Sequence, residues 1–185
     1  MDFLELCWKR RAIRKYRPDP IPPENIRRVL EAARQAPSAE NRQPWRFIVV
    51  TDPKIRAGLK ICYPRKWFLE SDPPMIIVAC GVPSESWHKL NEFYGEEYFE
   101  DYWKVDVAIA CEHVVLAAEA EGLGSCWIGG FNERCLKNLL QIPVEWRVVA
   151  MIPIGIPDED PTELRGEKDR MKMEKIVFWE KFQTR

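Results

Sequence analysis

One segment of the chain has no polar side at all: Met75 to Cys80 reads Met-Ile-Ile-Val-Ala-Cys. A strand of this kind has to be covered on both faces, so the sequence predicts a sheet with helices on each side. Three further strands are predicted at 46–51, 125–128 and 147–155, where β-branched and other apolar residues run between turn signals.

The predicted helices alternate with these strands. The longest covers 105–121 and is rich in alanine, so it is expected to lie centrally, under its neighbours. A proline in the first turn opens a helix over 23–36, and an asparagine cap opens one over 132–140. Helices interleaved with strands indicate a single α/β or α+β domain over residues 1–185.

Both ends of the chain carry apolar residues. A capping-box-like start predicts a short first helix whose buried face would hold Phe3, Leu6 and Cys7. Near the other end, 175–179 is apolar with a strand-like composition, where chains usually fray. We therefore expect the tail, 172–185, to pack on a partner subunit.

Composition excludes several classes of function. The formal net charge is −1, with 28 basic and 29 acidic side chains, which gives no case for binding nucleic acid or a membrane. The sequence has no secretory signal and no membrane-length apolar run, so a cytoplasmic location is expected. Its six cysteines form no Cys-x-x-Cys pair, and most lie in apolar runs. They are predicted to be buried free thiols, and no metal site is expected.

Basic side chains crowd into residues 9–17, where the first helix should end. Guanidinium groups bind phosphate oxygens with paired, charge-assisted hydrogen bonds, so this segment could hold a phosphorylated ligand. The residues alone also fit a solvated basic surface, or a patch that engages an acidic partner or nucleic acid.

Three segments together resemble the FMN-dependent nitroreductase family: Arg10-Arg11-Ala12-x-Arg14, the Pro-Ser-x-x-Asn-x-Gln-Pro-Trp pattern of 37–45, and the Gly-Leu-Gly-x-x-Trp-x-Gly pattern of 122–129. The resemblance extends over about 3–180. It implies an α+β fold of three layers (α/β/α), with a central, mostly antiparallel sheet. It also implies an intertwined homodimer with FMN at the subunit interface.

The resemblance assigns cofactor-binding roles to fourteen positions. Arg10 and Ala12 would lie at the phosphate and ribityl chain, and Arg14 near N1 and O2 of the flavin. Ala12 replaces the usual serine, which removes a hydroxyl contact worth about 1 kcal/mol. The loop of the second subunit would cover the flavin, and a glycine pair would approach N5. The remaining positions are Arg11, Pro37, Ser38, Ala39, Asn41, Gln43, Ile128, Gly129, Gly130, Lys168 and Arg170. Read without the resemblance, the loop and the glycines are also ordinary turn and helix-cap residues.

The implied activity is that of an FMN-dependent oxidoreductase. It would take hydride from NADH or NADPH and reduce a flat, electron-poor acceptor by a ping-pong mechanism, with the chemistry carried by FMN. Reductive dehalogenation and fragmentation of FMN to dimethylbenzimidazole are alternatives on the same fold. A non-enzymatic binding protein that uses residues 9–17 is another. Segment 81–104, aromatic and acidic, is interpreted as a variable lid or as an interface element.

Overall fold

The computed structural model describes residues 2–86, 102–158 and 168–182. Its strands are β1 (Trp45–Val50), β2 (Met75–Gly81), β3 (Gly124–Ser125) and β4 (Arg147–Gly155). Its helices are α1 (Phe3–Lys9), α2 (Pro23–Arg34), α3 (Pro53–Cys62), α4 (Lys66–Glu70), α5 (Tyr102–Ala120), α6 (Glu133–Leu140) and α7 (Met173–Ile176). No helix in these ranges is both long and apolar enough to cross a bilayer.

The four strands form one antiparallel sheet in the order β1-β2-β4-β3. Trp45 pairs with Gly81, which pairs with Arg147, so these three residues mark one end of the sheet. Ser125 pairs with Ile154 near the other end. The antiparallel sheet implied by the family resemblance is therefore confirmed.

Helices cover both faces of the sheet, as the apolar strand predicts. Ile77 and Ala79 of β2 belong to a core shared with α2 and α5, whereas Ile76 and Val78 belong to a second core shared with α3, α4 and α6. All seven residues of β2 are buried. The alternation of the strand therefore divides one apolar run between two cores, and the fold has three layers.

Several element boundaries follow from local chemistry. The Asp52 carboxylate accepts the N–H groups of Lys54 and Ile55 at the start of α3, and Asn132 caps α6 through the N–H of Cys135. Helix α5 begins three residues before the predicted start, at Tyr102. Its extra turn carries Trp103, whose indole lies so close to Gly81 that a Cβ there would overlap it.

The prediction of free thiols is wrong for one pair of cysteines. Cys62, the last residue of α3, forms a disulfide with Cys135 of α6, and their Cα atoms lie 5.4 Å apart. The two helices pack on the same face of the sheet, which brings residues 73 positions apart into contact. Cys7, Cys80, Cys111 and Cys126 are free thiols.

Three other expectations about the chain fail. The third strand is only Gly124–Ser125, followed by an isolated pair between Ile128 and Met151. The tail begins with the one-turn helix α7 rather than a strand. Phe3 is 64% exposed, and α1 has no buried residue, because no element among the described residues covers that face.

Candidate functional site

The basic segment leaves α1 at Arg10 and runs beside β3. Ala12 forms a parallel bridge with Ser125, and the N–H of Ile13 donates to the carbonyl of Ser125 at 2.9 Å. Gly124 permits this approach, since a Cβ there would lie 2.8 Å from the side chain of Ile13. The segment is therefore fixed to the sheet edge by its backbone, which leaves its arginine side chains to serve other contacts.

Arg14 and Arg10 lie close enough to Cys126 for their charges to act on its thiol. Burial raises the pKa of the Cys126 thiol, and the positive charges of Arg14 and Arg10 partly oppose that rise. The guanidinium carbon of Arg14 lies 5.6 Å from the centre of the Trp67 ring, within the range of a cation–π contact. Arg14 and Trp67 also line a cavity of ≈ 590 Å³ together with Tyr16.

A second group of cations surrounds a cavity of ≈ 600 Å³ next to α1. Arg11, Lys168 and Arg170 line it together with Cys7 and Trp8. The Nζ of Lys168 donates to the carbonyl of Cys7 at 2.7 Å. Burial lowers the pKa of Lys168, and the charges of Arg10, Arg11 and Arg170 lower it further. The structure thus brings Lys168 and Arg170, both predicted site residues, to Arg11 of the basic segment. A cluster of three cations favours the binding of an anion.

The glycine segment lies beside an aromatic group. Ile128 is buried and exchanges two backbone hydrogen bonds of 3.0 Å with Met151. A Cβ at Gly129 would meet nothing within 4 Å, and one at Gly130 would lie 4.0 Å from the ring of Tyr63. The rings of Tyr63 and Trp67 have centroids 6.2 Å apart. An aromatic pair therefore connects the glycine segment to Arg14.

Sequence reasoning missed Tyr63 and Trp67. Their only signal in the sequence is two aromatic residues around a five-residue helix, which is equally typical of core packing. Their relation to Arg14 depends on the way α4 packs beneath the sheet edge, and no local pattern encodes it.

The loop between α2 and β1 has an unusual backbone. Glu40, Asn41 and Gln43 have φ values of 48°, 55° and 52°, in the left-handed region that non-glycine residues rarely adopt. Ser38 Oγ accepts the N–H of Gln43 at 2.9 Å, and the N–H of Ala39 donates to Asp106 Oδ1 of α5 at 3.0 Å. Such backbone conformations cluster at ligand clamps and active sites.

This loop and the basic segment lie at opposite corners of the sheet. The loop, 37–43, enters β1 next to Trp45. Ala12 lies on the far side of β3, where it pairs with Ser125, the partner of Ile154. Four strand spacings separate them across the sheet, and seven residues of β4 separate Arg147 from Ile154 along it. At about 4.8 Å per strand and about 3.3 Å per residue, the corners are roughly 30 Å apart. The structure does not bring these two predicted parts of the site together within one chain.

The predicted lid, 81–104, can be followed only in part. Gly81 belongs to β2, a short 3₁₀ turn covers Pro83–Glu85, and Tyr102 begins α5. Residues 87–101, which hold most of its aromatic and acidic side chains, lie outside the described residues.

Most of the chain matches a known protein family. The sequence profile of the Nitroreductase family matches residues 8–71 and 70–156. The chain belongs to the nitroreductase family.

Two relatives and a solved structure show the breadth of this family. NADH dehydrogenase of Thermus thermophilus is 29% identical over 202 residues, covering 97% of this chain and 96% of that protein. The 5,6-dimethylbenzimidazole synthase of Rhodospirillum rubrum is 30% identical over 172 residues, covering 82% of this chain and 80% of that protein. The structure of an FMN-dependent nitroreductase from Clostridium difficile R20291 superposes with a TM-score of 0.77 and 28% identity, covering 97% of this chain and 100% of that one. Membership of the nitroreductase family supports an oxidoreductase.

Proposed function

We propose that the chain is a homodimeric FMN oxidoreductase. It takes hydride from NADH or NADPH and reduces a flat, electron-poor acceptor, such as a nitroaromatic compound or a quinone, in a ping-pong sequence. The observation that carries the proposal is the convergence of Arg11, Lys168 and Arg170 on one cavity. Arg14, three residues beyond Arg11 in the same segment, lies over the ring of Trp67.

The residues fit FMN at both ends of the molecule. Its phosphate carries about two negative charges and suits the cationic cavity. Burial and then the charges of Arg10, Arg11 and Arg170 lower the pKa of Lys168, and a bound anion would offset the repulsion among these cations. Its planar ring suits the open space at Gly129, where a Cβ would touch nothing. The cationic cavity and the space at Gly129 therefore suit the two chemically different ends of FMN.

The residues of this chain would bind and tune the cofactor rather than react. Arg11, Lys168 and Arg170 would hold the phosphate, with Arg10 and the backbone of Ala12 beside the ribityl chain. Bound FMN would supply the two-electron chemistry between nicotinamide and acceptor. Arg14, near N1 and O2, would stabilise the negative charge that develops at that edge.

Two observations support a homodimer. The loop 37–43 and the basic segment are too far apart to hold one ligand, so a second copy would have to supply the loop. In addition, the exposed face of α1 borders an apolar groove of ≈ 560 Å³ that includes Phe3, Leu6, Ile109 and Leu116. The tail adds exposed apolar side chains, namely Met173, Ile176, Val177, Phe178, Trp179 and Phe182. A partner subunit that covers these surfaces would bury area that one chain leaves in water.

The visible absorption spectrum of the purified protein tests the proposal, followed by anaerobic addition of NADH and then NADPH. A flavin spectrum that bleaches with either donor is expected, and an added quinone or nitroaromatic should restore the colour. A colourless protein that stays colourless after soaking with FMN would refute the proposal. Nucleic acid retained through salt washes would then favour the binding-protein alternative.

The similarity to 5,6-dimethylbenzimidazole synthase supports a second candidate, oxidative fragmentation of FMN. Product analysis after aerobic turnover separates the two candidates. Dimethylbenzimidazole among the products would favour fragmentation, whereas intact FMN with a reduced acceptor would favour the reductase.

A further inference from the structure

Asp106 is a buried acid with a bond to the strained loop. It lies in α5, is 1% exposed, and accepts the N–H of Ala39 on Oδ1 at 3.0 Å. Within the described residues its other oxygen, Oδ2, is also buried and has no hydrogen-bond partner. Burial raises the pKa of Asp106, and the bond from Ala39 opposes this only in part.

The second oxygen of Asp106 opposes folding stability. It is buried and, among the described residues, unpaired, so it loses its hydration without gaining a hydrogen bond. Buried, unpaired polar groups are rare in proteins and often have a function. The hydrogen bond from Ala39 to Asp106 indicates what that function is here.

The loop requires an external anchor. Its left-handed residues Glu40, Asn41 and Gln43 are exposed, so burial does not hold them in place. The internal bond from Gln43 N–H to Ser38 Oγ closes the loop on itself but does not fix it to the rest of the protein. The bond from Ala39 to Asp106 joins the loop to α5, the longest helix among the described residues. A strained conformation persists only when its surroundings determine it.

We propose that Asp106 is a positioning residue for this loop. By fixing Ala39, it sets where Ser38 and Asn41 present their oxygens to the flavin held by the basic segment of the other subunit. The inference rests on the proposed function, and it adds a residue that touches neither the cofactor nor the substrate.

Three variants test this role. Asp106→Ala removes the acceptor, whereas Asp106→Asn keeps an oxygen that can accept the same N–H. Asp52→Ala is the matched control, because Asp52 also accepts backbone N–H groups at a helix start but lies at α3, away from the loop. For each, FMN affinity is measured by titrating the apoprotein and following quenching of flavin fluorescence. Backbone hydrogen exchange is measured at Ala39 and Gln43.

Asp106→Ala is expected to weaken FMN binding about tenfold and to speed exchange at Ala39 by a similar factor, since the oxygen that accepts the Ala39 N–H is lost. Asp106→Asn should stay within about threefold of the unchanged protein, and Asp52→Ala should lower stability without changing FMN affinity. Unchanged affinity in Asp106→Ala would overturn the proposal. So would an equal loss in Asp106→Asn, because the anchoring oxygen would then not be what matters.

The proposed function and the positioning role fail in different ways. If the unchanged protein binds no FMN, the function fails, while exchange at Ala39 still reports whether Asp106 holds the loop. If Asp106→Ala does not fold, hydrogen exchange at Ala39 of the unchanged protein tests the anchor instead. Exchange at Ala39 slowed at least about tenfold relative to a free peptide is then expected, and unprotected exchange would refute the anchor.

Discussion

Arg14 owes its position to neighbours that lie far from it in the sequence. Its backbone is fixed by the bond from Ile13 to Ser125, and its guanidinium group lies over Trp67. Trp67 is held in turn by Phe68, a fully buried ring with its centroid 5.3 Å away. A charge fixed in this way can act on a ligand without first being ordered, which strengthens its electrostatic effect.

Replacing Arg14 with alanine should make the flavin harder to reduce. Loss of a positive charge near N1 and O2 is expected to lower the midpoint potential by about 30–60 mV and to slow reduction by NADH. Spectroelectrochemical titration of the holoprotein measures the potential. Arg17→Ala, which removes an exposed arginine three residues further on, serves as the control. Equal potentials in both variants would remove Arg14 from this role.

Asp106 should make the free energy of unfolding depend on pH. Burial raises its pKa above the ordinary value of about 3.9, so the folded protein holds a proton that the unfolded chain releases. The free energy of unfolding of the unchanged protein therefore falls as the pH rises through the interval above 3.9, whereas Asp106→Asn lacks this titration. Urea unfolding, measured from about pH 4 to about pH 8, should show the difference in favour of Asp106→Asn growing as the pH rises. A constant difference would contradict a raised pKa.

At the scale of elements, the sequence predicted correctly the features that a few neighbouring residues determine. The apolar run of β2, the Asn132 cap and the helix stop at Gly122, where φ is +74°, are each readable within a few residues. The tail prediction failed because 175–179 is too short for periodicity to separate a strand from one helical turn. The disulfide was missed because the partners become neighbours only after α3 and α6 have packed.

The disulfide between α3 and α6 should contribute measurably to stability. It closes a loop with a sequence separation of 73, so its removal is expected to lower the free energy of unfolding by about 2–5 kcal/mol. Urea unfolding of the unchanged protein with and without reductant measures this difference. A Cys62→Ser, Cys135→Ser variant, whose stability should not respond to reductant, is the control. Six reactive thiols in denatured, unreduced protein would show that the bond is absent.

At the scale of the whole molecule, the sequence predicted the parts of a candidate site but not how they are arranged. Arg10, Arg14 and the loop 37–43 were recognisable from motifs, since the types and order of residues carry that information. Trp67 and Asp106 were not, because their contacts with Arg14 and Ala39 come from packing between elements distant in sequence. The separation of roughly 30 Å between loop and basic segment follows only from the strand order and register. At that distance, one flavin site would need the basic segment of one chain and the loop of another.

Mixed dimers test whether each flavin site is shared between two chains. One chain would carry Arg10→Glu and Arg14→Glu, the other Ser38→Trp and Asn41→Trp, with two affinity tags to isolate the mixed species. If each site combines the basic segment of one chain with the loop of the other, the mixed dimer holds one intact site and should bind about one FMN, although neither variant binds it alone. Unchanged chains with the same tags should bind about two. A mixed dimer that binds no FMN, while the tagged unchanged dimer does, would contradict the shared site.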